Sequence, residues 1–165
     1  MCHGSSGSGD WGSSPELADR LARAGFAVVS FAFSDAGVPL QFRELDLVLD
    51  ALRRGEVGAA TETYGLIGHG AGGAIALLRS ADDNCVRALV TWAVVAHLGP
   101  GGDELDVLSA AQAVRVPWLL VQGTDAAARE LLRAARGDSA EILASTLAPE
   151  LTVRAAVAWL ARHLP

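Results

Sequence analysis

Residues Tyr64 to Leu78, YGLIGHGAGGAIALL, constrain this chain more than any other stretch. Tyr64 to Ile67 is a short apolar run that reads as a buried strand. Ala71 to Leu78 is small and apolar, and reads as a helix packed closely on a sheet. Between them lies Gly68-His69-Gly70-Ala71-Gly72-Gly73, a sharp strand-to-helix turn with glycine wherever the backbone is crowded.

The rest of the chain repeats this alternation. Pro15 to Ala24 predicts a helix, with Pro15 in its first turn and Gly25 as its stop. Phe26 to Phe33 predicts a buried strand, and Phe42 to Arg54 an amphipathic helix. Beyond the glycine turn, Val86–Val95 and Val116–Val121 read as buried strands and Ala140–Leu143 as a weaker last strand. Asp103–Ala113, Ala126–Ala135 and Leu151–Leu164 read as helices. Strands that are apolar on both faces and alternate with helices predict an α/β protein with a parallel sheet covered on both sides.

Composition bounds the function. At 165 residues the chain is expected to form a single domain, residues 1–165, and 51% hydrophobic with 19% charged residues describes a soluble protein. Every basic residue is arginine, the net charge is −6, and no basic block occurs, which argues against a nucleic-acid partner. No apolar run approaches the roughly 18 residues of a membrane span, so no membrane partner is expected. Nothing resembles a signal peptide, and Cys2 and Cys85 read as isolated reduced thiols, so a cytoplasmic location is expected. No two histidines stand at ligand spacing beside a carboxylate or cysteine, so neither metal nor cofactor is expected.

The glycine turn has the layout of a nucleophile elbow, G-x-S-x-G, with Gly70 at the serine position. Other stretches extend the likeness. His3-Gly4 through Asp10-Trp11-Gly12 forms an HG-rich loop with a D-W-G segment, and Gly65-Leu66-Ile67-Gly68-His69 leads into the elbow. Val90-Thr91-Trp92-Ala93, Val116-Pro117-Trp118-Leu119-Leu120 and Ala156-Val157-Ala158-Trp159-Leu160 follow in order. Together they resemble the α/β-hydrolase superfamily, in particular its bacterial dienelactone-hydrolase-like branch, over nearly the whole chain.

That resemblance implies a carboxylic ester hydrolase in which serine attacks an acyl carbon, histidine takes its proton and an acid orients the histidine. The three roles fall on poor residues here. Gly70 has no side chain to attack with. The acid position falls on Ala126, with Asp125 one residue short, and Gly137 to Pro149 contains no histidine. His97, at the end of a strand, is the remaining candidate base, although a surface loop histidine is the commoner case. The oxyanion donors implied by the family are backbone amides, at Ser5 and Ala71, and need no side chain. The expected ligand is therefore a small ester or acyl group, bound with impaired or absent catalysis. The alternative is a weak ester hydrolase using a non-standard nucleophile, with Ser5 or Ser6 nearest in the family's geometry.

Two further expectations can be checked against structure. In the family a central strand precedes the HG loop and lies between the counterparts of Phe26–Phe33 and Tyr64–Ile67, yet only Met1 and Cys2 stand before His3. Either those two strands close up, or the fold is a truncated α/β-hydrolase with a slot about 10 Å wide. The elbow also reads as Gly68-x-Gly70-x-x-Gly73, a dinucleotide-binding fingerprint. A dinucleotide module would need a ribose-binding acid near Leu89–His97, and that stretch has none. His69, His3 and His163 suit packing, loop and helix-end roles, and Asp46 with Asp50 suits a solvated helix face.

Overall fold

Four parallel strands form one sheet in the order β1 (Tyr64–His69), β2 (Val86–Trp92), β3 (Trp118–Gln122) and β4 (Ala140–Ala144). The structure is a computed structural model that describes residues 1–2, 14–35, 37–98, 106–122, 126–135, 140–144 and 149–164. The helices are α1 (Ser14–Arg23), α2 (Val38–Arg53), α3 (Gly70–Asp82), α4 (Val107–Ala113), α5 (Ala126–Ala134) and α6 (Pro149–His163).

Alternation along each strand sends neighbouring residues into two separate cores. Leu66, Leu89, Trp118 and Leu120 meet Leu45 and Leu49 of α2, Ile75 and Leu77 of α3, and Leu131 of α5. Ile67, Ala88, Val90, Leu119 and Val121 meet Leu17 and Leu21 of α1 and Val153, Trp159 and Leu160 of α6. Both faces of the sheet are thus covered by helices, which explains why β2 and β3 are apolar on both faces apart from Arg87, Thr91 and Gln122. Two buried side-chain bonds tie the middle strands: Trp118 Nε1 donates to Thr91 Oγ1 at 2.9 Å, and Gln122 Nε2 donates to the Val94 carbonyl at 3.1 Å.

Several boundaries differ from expectation for local reasons. Helix α2 starts at Val38 rather than Phe42, because proline is compatible with a first helical turn and Gly37, at φ 85°, turns the chain into it. Strand β2 stops at Trp92 rather than Val95, because Ala93 adopts φ 45° and ends the extended run. Helix α4 starts at Val107, where the Asp106 carboxylate caps it by accepting from the Ser109 amide at 2.8 Å.

The expectation of a buried strand at Phe26–Phe33 is corrected. Val29, Phe31 and Phe33 turn inward while Ser30 and Ala32 are exposed, the alternation of a strand, yet the segment belongs to no ladder. Its reason is the neighbour it has. The segment does not close up on β1, and at one end the two positions are bridged by Met1 and Cys2. The Met1 amine donates to the Val29 carbonyl at 2.6 Å, and Cys2 forms a single parallel bridge with Gly68. A cavity of about 440 Å³ lies between Phe26–Phe31 and Tyr64–Ile67, with Met1 in its lining.

Candidate functional site

Strand β1 ends on His69, which is extended (φ −123°, ψ 138°), and α3 begins at the next residue. Gly70 makes the turn with φ 55°, in the left-handed region that side chains disfavour. The turn between β1 and α3 thus has a left-handed residue at its centre, at the position where the resemblance expects a nucleophile. Glycine holds that conformation without the strain a serine would carry.

The glycines around it are packing requirements. A Cβ on Gly68 would lie 2.4 Å from the Gly72 carbonyl oxygen and 2.6 Å from the Gly73 Cα. A Cβ on Gly73 would stand 3.3 Å from the Gly68 oxygen and 3.4 Å from the Val94 side chain. Strand end and helix start are in backbone contact, which only glycine permits. Helix α3 is buried along Gly72–Leu77, and His69 supplies no side-chain cap to it. The amides of its first turn, Ala71 among them, have no partner within the helix, as at any helix start.

Cys2 lies directly beside this turn. Its amide donates to the Ile67 carbonyl at 2.8 Å, and the His69 amide donates to its carbonyl at 3.0 Å. Met1 and Cys2 thus lie along the carboxyl end of β1, beside the turn. Ser5, Ser6 and the remainder of that loop, and Asp125 after β3, lie outside the described residues. Burial of Cys2 pushes its thiol above the usual range, which keeps it in the unreactive thiol form.

His97 sits beyond the end of β2 with its side chain 62% exposed, and its Nε2 lies 3.5 Å from Glu130 Oε2 on α5. The side chain thus meets a carboxylate at the surface. Ala126, at the family's acid position, opens α5 and is exposed. The end of β2, Trp92 to Leu98, carries no carboxylate that would hold a ribose. Among the described residues no group of three or more His, Cys, Asp or Glu side chains is gathered as for a metal.

Two features of the sheet's carboxyl edge were not anticipated. Ala93 takes a positive φ, and Gln122 reaches from β3 to hold the Val94 carbonyl, so the chain after β2 is fixed against Gly73. A glutamine ending an otherwise apolar strand was the available signal for the second. Nothing in an alanine announces the first.

No protein-family model and no curated protein sequence matches the chain. Solved structures do. The esterase domain of a Rhodothermus marinus protein superposes with TM-score 0.76 at 19% identity, over 99% of this chain and 85% of that one. A dienelactone hydrolase from Anabaena variabilis gives 0.75 at 18%, over 99% and 85%. A Pyrococcus furiosus esterase gives 0.82 at 14%, over 99% and 81%. The fold is that of the α/β-hydrolases, similar to the dienelactone-hydrolase-like branch.

Proposed function

We propose that this chain keeps the site of an α/β-hydrolase as a backbone framework for a small ester or acyl ligand and has lost the serine hydrolase reaction. The observation that carries this reading is Gly70, a residue with no side chain at the left-handed turn between β1 and α3. The structural neighbours described as esterases and as a dienelactone hydrolase supply the substrate class. An acyl carbon is attacked by an activated hydroxyl or thiol, and Gly70 offers neither. The first amides of α3, by contrast, are donors that need no side chain, and they point along the positive end of a helix dipole.

A fluorophosphonate probe tests the loss. Purified protein is expected to remain unlabelled, because no activated hydroxyl stands at the elbow. Stoichiometric labelling mapped to any serine by mass spectrometry would establish a non-standard nucleophile and overturn the inactive reading. Retained binding is tested separately, by following the amide resonance of Ala71 while a short-chain boronic or carboxylic acid is added. A saturable shift confined to the start of α3 is expected. Its absence would remove the ligand-binding half of the reading.

A further inference from the structure

At the amino edge of the sheet, opposite the glycine turn, β2 opens with an irregularity that sets an arginine apart. Tyr64 pairs with Val86 and Gly65 with Ala88, so Arg87 is an extra residue without a partner on β1. Such a bulge re-aims the side chain that it releases from the ladder. Continued two residues back, the pairing of Leu89 with Trp118 brings Arg87 opposite Val116 and next to Arg115. Among the described residues the Arg87 side chain is exposed and has neither an ion pair nor a hydrogen bond.

Three elements bring donors to one hollow of about 520 Å³ at this edge: Arg87 from β2, Arg115 from the approach to β3, and His163 from the end of α6. Arg115 is anchored, because its Nη1 donates to the Gln112 and Val114 carbonyls at 2.9 and 3.2 Å. Its Nε and Nη2 have no bond among the described residues. His163 packs on Trp159 with ring centroids 4.3 Å apart, and its Nε2 is buried without a hydrogen-bond partner. A buried polar atom left in that state calls for a partner. No acidic residue lines the hollow. Asp83, four residues before Arg87, is already engaged by Arg53, Tyr64 and the Cys85 amide. Exposed arginines are ordinarily satisfied by water alone. The anchored guanidinium and the buried imidazole nitrogen set this hollow apart from a solvated surface, in a chain whose net charge is −6.

We propose that this hollow binds the phosphate group of a small phosphorylated molecule, held by Arg87, Arg115 and the Nε2 of His163. Each guanidinium presents a fork of N–H donors that matches two phosphate oxygens and keeps its charge at any working pH. His163 donates to a third oxygen when its ring proton is on Nε2. A carboxylate has one charge and two oxygens, so it would leave one cation and one donor unmet. Val86, Val116 and Pro117 line the remainder, and the hollow is larger than a phosphate alone needs. The phosphate therefore carries a compact apolar body, as ligands of mixed pockets do. Exposure of both arginines makes the binding weak and sensitive to salt. The site stands at the other edge of the sheet from Gly70 and needs neither a nucleophile nor an acyl ligand.

Phenyl phosphate tests this on the intact chain at pH 8 and low ionic strength, where its phosphate is a dianion. Followed by NMR, the titration is expected to saturate with a Kd on the order of 1 mM. The Arg87 and Arg115 Nε–H signals and the His163 ring signals should shift together. Arg87→Gln and Arg115→Gln change exposed side chains and should leave the fold intact. Each is expected to weaken binding about tenfold, and the double variant to abolish saturation. Benzoate at the same ionic strength should bind about tenfold more weakly than phenyl phosphate, or less well still. A titration without saturation would overturn the proposal. Equal binding of benzoate would also overturn it, by showing an undirected attraction of anions. Unchanged affinity in the double variant would do the same, and shifts at Ala71 would then place the ligand at the glycine turn instead.

Discussion

The two ends of β1 solve opposite problems. At its carboxyl end the chain uses backbone alone: Gly68 and Gly73 let strand and helix into contact and Gly70 holds a left-handed turn. At its amino end side chains do the holding. The Tyr64 hydroxyl donates to Asp83 Oδ2 at 2.5 Å, Arg53 Nη2 reaches both groups at 2.6 Å, and the Cys85 amide donates to Asp83 Oδ1 at 2.8 Å. That cluster joins α2, β1 and the start of β2 into one unit. The end with the ionisable groups ties elements together through side chains, and the end where the proposed acyl site lies is built from glycine backbone. The proposed acyl site therefore rests on the conformation of Gly70 and not on these gathered charged residues.

The comparison is broken most severely at Gly68. Gly68→Ala places a Cβ against the Gly72 carbonyl, backbone against backbone, with no flexible side chain to yield. We expect a loss of about 3 kcal/mol or more, at the upper end of overpacking costs, read as the shift in urea midpoint. A variant within about 0.5 kcal/mol of the parent would mean that β1 and α3 are less closely joined than the geometry requires.

At the other end Asp83→Ala leaves the Tyr64 hydroxyl and Arg53 without their shared acceptor. Tyr64 is buried and Arg53 is partly exposed, so water compensates only the second. The expected loss is about 2 kcal/mol, or roughly 4–8 °C in Tm for a chain of this size. Tyr64→Phe in the Asp83→Ala background should cost much less than it does in the parent, and a double-mutant cycle measures that coupling.

The same cluster should appear in the pH dependence of stability, with a smaller effect. Burial, followed by donation to Asp83, pushes the Tyr64 hydroxyl well above its ordinary value. Its folded pKa is raised, so its contribution is complete below about pH 10 and is lost as pH rises from there toward the folded value. Burial alone would push the Asp83 carboxyl up, but the bonds from Tyr64 and Cys85, with Arg53 beside it, outweigh that and hold it below the usual range. Its contribution is present above about pH 4 and is lost as pH falls through the lower folded value. Urea titrations from pH 3 to 11 should show both declines, with the alkaline one flattened in Tyr64→Phe and the acid one flattened in Asp83→Asn.

Much of this fold is legible in the sequence because two-sided apolar runs leave few alternatives. The strands at Tyr64, Val86, Val116 and Ala140 and the helices between them could be placed to within a few residues, and the parallel sheet followed. The Phe26–Phe33 strand was misjudged because strand character in the residues does not secure a ladder. A strand needs a neighbour, and among the described residues the segment joins no ladder. Of the proposed acyl site, the identity of residue 70 as glycine is plain from the sequence. Its left-handed turn is not, because glycine tolerates every conformation and announces none. The surface placement of His97 was also beyond reach, since it depends on where Glu130 of α5 stands, a contact across the fold.

The smallest expected effect is at Gly70, and it tests whether the elbow's shape survives for backbone reasons alone. Gly70→Ser must place a side chain at φ 55°, which costs about 1–2 kcal/mol relative to glycine. Close packing is already set by Gly68 and Gly73, so the turn should hold and the substitution should remain folded. The new hydroxyl gains no base with it: His97 is exposed and faces Glu130, and the β4 segment Ala140–Ala144 brings no histidine. Serine without a base is a weak nucleophile. We therefore expect Gly70→Ser to lose about 1 kcal/mol of stability and to hydrolyse p-nitrophenyl acetate no faster than the parent. Brisk turnover would reveal a base already aimed at the elbow, and Gly70→Ser with His97→Ala would then identify or dismiss His97 as its source. A stability loss of several kcal/mol would carry a different message, that the left-handed turn is held only because residue 70 is glycine, and the backbone framework would be far less robust than its packing suggests.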